Sequence, residues 1–217
     1  MKTPQIETWT SEFGREYTDR NALDIEALNA LYVRNYGITR QQLNTDFLAG
    51  IRRDARILEV GCNMGNQLLL LEHMGFHNLF GIEVQPYALE KARSRLKHAC
   101  LTEATAFDIP YPDQSFDLVF TSGVLIHIAP SDLPKAVGEI HRCSRNFIWG
   151  LEYHAPNPTE VNYRGHDKLL WKMDYLRFYR QQFADLQVSQ SKLLPYLEND
   201  NQDCMFLLQK KTMPDPR

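Results

Sequence analysis

Hydrophobic positions recur along this chain with two different periods. From Ile57 onward, short apolar runs alternate with longer segments of helical spacing. The runs predict strands over 57–60, 79–83, 102–106, 116–121, 146–151, 186–193 and 205–209. The segments between them predict helices over 66–74, 86–98, 131–143 and 167–183. Pro86 suits a first helical turn, Ser131 an N-cap and Gly75 a helix end. Strand–helix alternation argues an α/β fold, a parallel sheet with helices on both faces. The last two strands have no helix between them, which suits an antiparallel hairpin. Before Ile57 the spacing is helical: one helix starts near Asn21, read as its N-cap, and a second covers 39–48. No repeat or low-complexity linker separates these parts. Residues 1–50 are therefore expected to cap the same domain whose body is 51–217. Trp9, Phe13 and Tyr17, with Arg15 among them and Arg20 after them, either staple that cap to the sheet or form a lid over a ligand.

Composition narrows the class. A chain of 217 residues suits one domain with a full core. Its 43% hydrophobic and 24% charged fractions are those of a globular protein. A net charge of −3 gives no general attraction to nucleic acid. The N-terminus lacks an apolar signal segment and no apolar run approaches about 20 residues, so a cytoplasmic protein without a membrane partner is expected. Cys62, Cys100, Cys143 and Cys204 are scattered without metal-ligand spacing. His154, His166 and Asp167 lack it too, and no metal is expected.

Candidate chemistry concentrates between Arg56 and Asn66. Apolar strand residues run into Gly61-Cys62-Asn63-Met64-Gly65, and an apolar helix begins at once. Glycines at such a turn let backbone approach a ligand, and the helix start offers free N–H groups and a positive dipole end. The strand that follows ends at Glu83, about twenty residues on, where nucleotide-binding folds place a ribose-binding carboxylate.

This pattern resembles the class I S-adenosylmethionine-dependent methyltransferases. The resemblance rests on Glu59 to Gly65, on Glu83, and on Ala106-Phe107-Asp108-Ile109-Pro110 before Ser115-Phe116-Asp117-Leu118-Val119-Phe120. It covers roughly residues 51 to 211. Asn63 departs from the usual glycine, but asparagine tolerates left-handed backbone. The flanks, Trp9 to Asn21 and Tyr163 to His166 with Leu170 to Tyr175, are similar to methylases associated with pseudaminic acid biosynthesis. The resemblance implies a Rossmann-like, seven-stranded, mostly parallel sheet with an antiparallel last strand. It also implies S-adenosylmethionine as cofactor and a small polar metabolite as partner: a sugar or sugar-acid precursor, an amino acid or its guanidine.

Those expectations assign residues. Gly61, Cys62, Asn63, Gly65 and Asn66 would pass beneath the cofactor's amino-acid part. Glu59 would meet its amino group, Glu83 with Val84 its ribose, and Phe107, Asp108 and Ile109 its adenine. Ser122 joins this set, with Trp9 and Arg20 from above. His127, past the fourth strand, and Glu152, at the fifth strand's end, are candidate bases, with Tyr17 as a hydrogen-bond partner. A lone histidine there is as readily a packed core residue. Tyr153, Tyr163, Arg164, His166, Trp171 and Lys172 are the candidate acceptor site, the two cations suiting a carboxylate or phosphate. Trp171 and Tyr175 lie one helical turn apart, a spacing that also simply packs a helix on a sheet. The alternatives are a nicotinamide-dependent oxidoreductase and a non-catalytic cofactor-binding partner protein. The first is disfavoured by the absence of G-x-G-x-x-G. Monomer and homodimer remain open.

Overall fold

The computed structural model describes residues 1–211. Helices α1 (Pro4–Thr10), α2 (Glu12–Arg20), α3 (Ile25–Tyr36) and α4 (Arg40–Phe47) precede the first strand. Then come β1 (Arg56–Val60), α5 (Asn66–His73), β2 (Asn78–Glu83), α6 (Pro86–Arg95), β3 (Ala99–Glu103) and β4 (Phe116–Ser122). The chain continues through a 3-10 turn (Leu125–His127), α7 (Leu133–Cys143), β5 (Ser144–Tyr153), β6 (Thr159–Tyr163), β7 (His166–Lys172) and α8 (Tyr175–Gln182). It closes with β8 (Leu186–Pro195) and β9 (Gln202–Lys210). Among the described residues no helix is long and apolar enough to cross a membrane.

Seven strands form one sheet in the order β3-β2-β1-β4-β5-β9-β8. Pairing is parallel from β3 to β5, and β9 runs antiparallel to both of its neighbours. This is the Rossmann-like class I methyltransferase topology. Strand alternation sends successive residues to opposite faces. Ile57, Leu118, Phe120, Trp149 and Met205 pack with Leu28, Leu43, Phe47, Leu68 and Leu71 from α3, α4 and α5. Leu58, Val119, Ile148 and Phe206 pack with Leu133, Val137 and Ile140 of α7 and with Tyr175 and Tyr179 of α8. Each buried aliphatic contributes roughly 1.5–3 kcal/mol, so the two layers together hold the sheet.

Local chemistry explains where elements start. Asp24 caps α3 by accepting from Ala27 N at 2.8 Å, and Thr39 caps α4 through Gln42 N at 3.0 Å. Asn21 is the C-cap of α2, its side chain donating to Tyr17 O, rather than the start of a helix. The third strand begins three residues earlier than its apolar pattern suggests.

The segment 167–183 is not one helix. His166–Lys172 pairs antiparallel with Thr159–Tyr163 as a separate two-stranded hairpin, and the helix begins only at Tyr175. Tyr163 faces His166 across the two-residue turn Arg164-Gly165, both at positive φ (51° and 83°). Such turns match the twist of a hairpin. Asp174 accepts from Arg177 N at 2.8 Å and starts the helix after the strand. A short apolar run like Leu169-Leu170-Trp171 does not choose between helix and strand by periodicity.

Gly150 marks the tightest approach within the sheet. It pairs with Phe206 across β5 and β9, and a Cβ there would lie 2.3 Å from Phe206 Cζ. Gly150→Ala should therefore cost about 1–3 kcal/mol through overpacking. Gly138, in the middle of α7 with nothing within 4 Å of an added Cβ, is the contrast. Gly138→Ala should stabilise by about 0.4–1 kcal/mol. Urea unfolding midpoints at constant slope report both; equal midpoints for the two variants would contradict the packing account.

Candidate functional site

The carboxyl ends of β3, β2, β1, β4 and β5 lie along one edge of the sheet, beside the start of antiparallel β9. Ligands of open α/β sheets bind beyond this edge. A cavity of ≈ 340 Å³ runs along it. Its walls pass from Thr105 and Phe107 through Glu83 and Val84, then Glu59, Gly61, Cys62 and Asn63, then Ser122 and Val124, to Tyr153 and Asp203. Trp9 of α1, Tyr17 of α2, and Tyr32 and Tyr36 of α3 line it from the helical side.

The glycine turn is held by backbone geometry and by one carboxylate. Gly61, Asn63 and Gly65 all adopt positive φ (71°, 47° and 78°). Gly61 N and Cys62 N both donate to Ile82 O, at 2.8 and 3.0 Å. Glu83 Oε2 accepts from Asn63 N at 2.8 Å, while Oε1 accepts from Val84 N and Gln85 N at 2.8 and 2.9 Å. Oε2 keeps a second lone pair, so Glu83 can still take a donor from the cavity. Asn63 adds what glycine could not: its Oδ1 accepts from Met64 N and its Nδ2 donates to Thr18 of α2. Asn66 and Gln67, at the start of α5, also line the cavity.

Four buried polar atoms in these walls have no partner: Glu59 Oε2, Gln67 Oε1, Trp9 Nε1 and Asp203 Oδ1. Groups left so are few in folded proteins, and each needs a reason. Burial pushes the Glu59 carboxyl well above its ordinary range; nearby Arg40 opposes this and Glu83 adds to it. Glu83 is shifted up by the same burial, its backbone donors opposing. Arg40 lies behind this wall, fully buried, donating to Asn44 Oδ1, Tyr32 OH and Ser122 Oγ. The cavity is thus lined by carboxylates and suits a cation.

His127 lines the cavity in the loop after β4. Its Nδ1 stands 2.7 Å from Leu169 O on β7. A carbonyl only accepts, so Nδ1 carries the proton and Nε2 the lone pair. Burial lowers its pKa to about 4, against the contribution of that hydrogen bond. Trp9 meets the imidazole edge-on at 4.6 Å between ring centroids. Phe13 touches His166 and Tyr163 of the hairpin at 4.9 and 6.2 Å, and Gln5 Nε2 donates to Lys168 O. The first two helices and the hairpin so meet above His127. Tyr17 packs against Trp9, and burial raises its pKa.

Several expected site residues lie outside the cavity walls. Glu152 is displaced by strand alternation: Leu151 and Tyr153 line the cavity, so Glu152 points through the sheet, 1% exposed. There it accepts from Val124 N and Ile126 N at 3.0 and 3.4 Å, mooring the loop that carries His127. A tight turn closed by Asp108 N on Thr105 O faces Asp108 outward, and Ile109 is in the core with its amide on Glu139. Gly65 backs onto Leu96, where a Cβ would come within 2.6 Å of the end of that side chain, and its φ of 78° itself favours glycine. Arg20 is exposed and paired with Glu16. Of the hairpin residues, Arg164 sits at the exposed turn over the Tyr163 ring, and Tyr163 and His166 face Phe13. Trp171, on β7 of the hairpin, is buried, its carbonyl accepting from Tyr175 OH. Lys172 bonds Asn201, 5.7 Å from the Tyr153 ring centroid. Among the described residues no group of three or more His, Cys, Asp and Glu side chains is placed to hold a metal ion.

Sequence reasoning missed Tyr32, Tyr36, Tyr196, Gln85 and Asp203, all in the walls. Tyr32 and Tyr36 were legible as one face of a helix. Asp203, a carboxylate at the head of the apolar run 204–208, was legible as a strand-end signal.

Residues 58–146 match a family described as a methyltransferase domain. An uncharacterised methyltransferase of Synechocystis is 29% identical over 87 residues, 40% of this chain and 41% of that protein. The chain spans under half the length of the curated relatives it first matches. A structure of Burkholderia thailandensis 1,6-didemethyltoxoflavin-N1-methyltransferase, with bound 1,6-didemethyltoxoflavin and S-adenosylhomocysteine, superposes with a TM-score of 0.73 at 14% identity. That match covers 97% of this chain and 92% of the other. The cyclase SpnF superposes at 0.65 with 15% identity, covering 87% and 82%.

The position of Glu152 makes stability depend on pH. Burial raises its pKa from 4.5 to about 7, so the folded state holds this proton more tightly than the unfolded chain does. Its contribution is present below pH 4.5 and is lost as pH rises through about 7. Glu152→Gln removes that titration. Between pH 4.5 and 8 the stability difference should swing toward the variant by on the order of 3 kcal/mol. Denaturant unfolding of both proteins at the two pH values measures it, and a constant difference would refute it.

Proposed function

We propose that this chain is a class I S-adenosylmethionine-dependent methyltransferase, which binds S-adenosylmethionine along the cavity and transfers its methyl group to oxygen or nitrogen of a small polar metabolite; the fold and the matched domain support the reading. The observation that carries the reading is Glu59 Oε2, a buried acceptor without a partner beneath the glycine turn. A ligand bearing both an ammonium and a sulfonium satisfies it, and suits the surrounding carboxylates.

The residues fit that cofactor group by group. Glu59 would receive its ammonium, and Glu83 a ribose hydroxyl at the unused lone pair of Oε2. Phe107 would flank the adenine. Gly61 lets the loop after β4 close on the turn, since a Cβ there would come within 2.7 Å of Val124. The cofactor's sulfonium supplies an electrophilic methyl with a neutral leaving group. His127 Nε2, neutral at physiological pH, would accept a hydrogen bond from the acceptor and take its proton as the new bond forms. Leu169 O and Glu152 hold that ring in place, the first directly and the second through the loop. Trp9, Tyr17 and the hairpin would exclude water from above, the lid reading of the N-terminal residues. Arg164 and Lys172 stand outside the walls, so nothing in the cavity favours an acidic acceptor; the sugar-acid reading rests on the flanking resemblance alone.

Purified protein and S-adenosylmethionine added to a cell extract should yield a metabolite one methyl heavier by mass spectrometry. A cyclase of the same fold makes that turnover test necessary. By calorimetry, Glu59→Gln and Glu83→Ala should each weaken S-adenosylhomocysteine by about 2–3 kcal/mol, the loss of a charge-assisted bond. His127→Ala should lower kcat by about 10²–10⁴ with cofactor affinity kept. In the wild type the acid limb of kcat should fall near pH 4 rather than 6.5. Unchanged affinity in both glutamate variants would remove the cofactor assignment.

A further inference from the structure

We propose that Asp203, with Tyr36, Tyr153 and Tyr196 around it, forms a subsite for a protonated primary amine on the methyl acceptor. The inference rests on the methyltransferase reading for the word acceptor; the subsite itself stands on geometry.

Asp203 lies at the start of β9, paired with Tyr153 of β5, at the end of the cavity opposite Phe107. It is 4% exposed. Oδ2 accepts from Tyr36 OH at 2.5 Å and Tyr196 OH at 3.5 Å. Oδ1 is buried and has no partner. Two cations act on it from a distance: Lys172, bonded to Asn201, and Arg40, whose Nε and Nη1 bond Asn44, Tyr32 and Ser122 and whose Nη2 has no partner. Neither forms an ion pair with it, and among the described residues no other cation does. A buried carboxylate in that state is costly, and burial accordingly raises its pKa to about 6.

The surroundings select the ligand. Tyr36 and Tyr196 meet edge to face at 4.9 Å between centroids, and Tyr36 is tilted against Tyr32 at 5.4 Å. Aromatic faces beside a carboxylate attract a cation. A hydroxyl could satisfy Oδ1 but would leave the charge uncompensated; an ammonium does both. The cofactor's own ammonium cannot serve here. Glu59 is on β1, and β4 and β5 stand between it and β9. Three strand spacings amount to about 14 Å. The two orphaned carboxylate oxygens therefore call for two cationic groups, one at each place.

The test uses the full chain saturated with S-adenosylhomocysteine. Saturation-transfer NMR compares n-butylammonium with n-butanol, neutral in charge and similar in shape, near neutral pH. The ammonium should bind about tenfold or more tightly than the alcohol. Asp203→Asn should abolish the preference while S-adenosylhomocysteine affinity persists. Tyr196→Ala, which removes a wall and keeps the carboxylate, should reduce it. Equal binding of the two probes to the wild type overturns the subsite, as does a preference that survives Asp203→Asn. If Asp203→Asn fails to fold, the wild-type comparison and Tyr196→Ala still decide. Failure of S-adenosylhomocysteine to bind, with the amine preference intact, sinks the methyltransferase reading and spares the subsite; the reverse pattern sinks the subsite alone.

Discussion

The site depends on one carboxylate, Glu83, accepting three backbone N–H groups. One comes from the glycine turn and two from the chain that leaves β2. Those bonds pin a turn of three positive-φ residues to the end of the neighbouring strand. An extended Gly61-to-Gly65 segment would need no such clamp. Gly61 N and Cys62 N still reach Ile82 O of β2, but Asn63 N lies beyond that acceptor, and an amide without one is costly when buried. Glu83 supplies acceptors and still keeps a lone pair for the cavity. Structural anchor and candidate ligand contact are therefore the same side chain.

Buried carboxylates are the second theme. Glu59, Glu83, Glu152 and Asp203 are each less than a tenth exposed, and burial raises the pKa of each. They are not equivalent. Glu83 and Glu152 are satisfied by backbone donors and organise loops. Glu59 and Asp203 each keep one oxygen without a partner, and both residues line the same cavity. Carboxylates left so are poor contributors to stability. Their placement in a concave wall rather than in the packed layers points to ligand recognition.

The roof couples distant segments. The hairpin touches the N-terminal helices through Phe13, His166 and Lys168, and holds His127 through Leu169 O. Leu169 O fixes the tautomer of the imidazole that Trp9 covers. Movement of the hairpin would thus disturb the orientation of His127 as well as access to it.

The strand–helix alternation, the glycine turn and Glu83 were legible in the sequence, because short-range periodicity and turn chemistry act within a few residues. So was His127, by its place just past a strand. The chain by itself determined these because each depends on neighbours close in sequence. Tertiary structure decided the rest. Whether Leu169-Leu170-Trp171 would be helix or strand turned on a partner, Thr159–Tyr163, and on Arg164 accepting a left-handed turn. Which way Glu152 would point depended on the pleat of β5, which turns Leu151 and Tyr153 to the cavity and Glu152 away. Asp203 and Tyr36 are 167 residues apart, and no local pattern joins them. Only the antiparallel insertion of β9 beside β5 brings that carboxylate to the carboxyl edge of the sheet, where Asp203 lines the cavity.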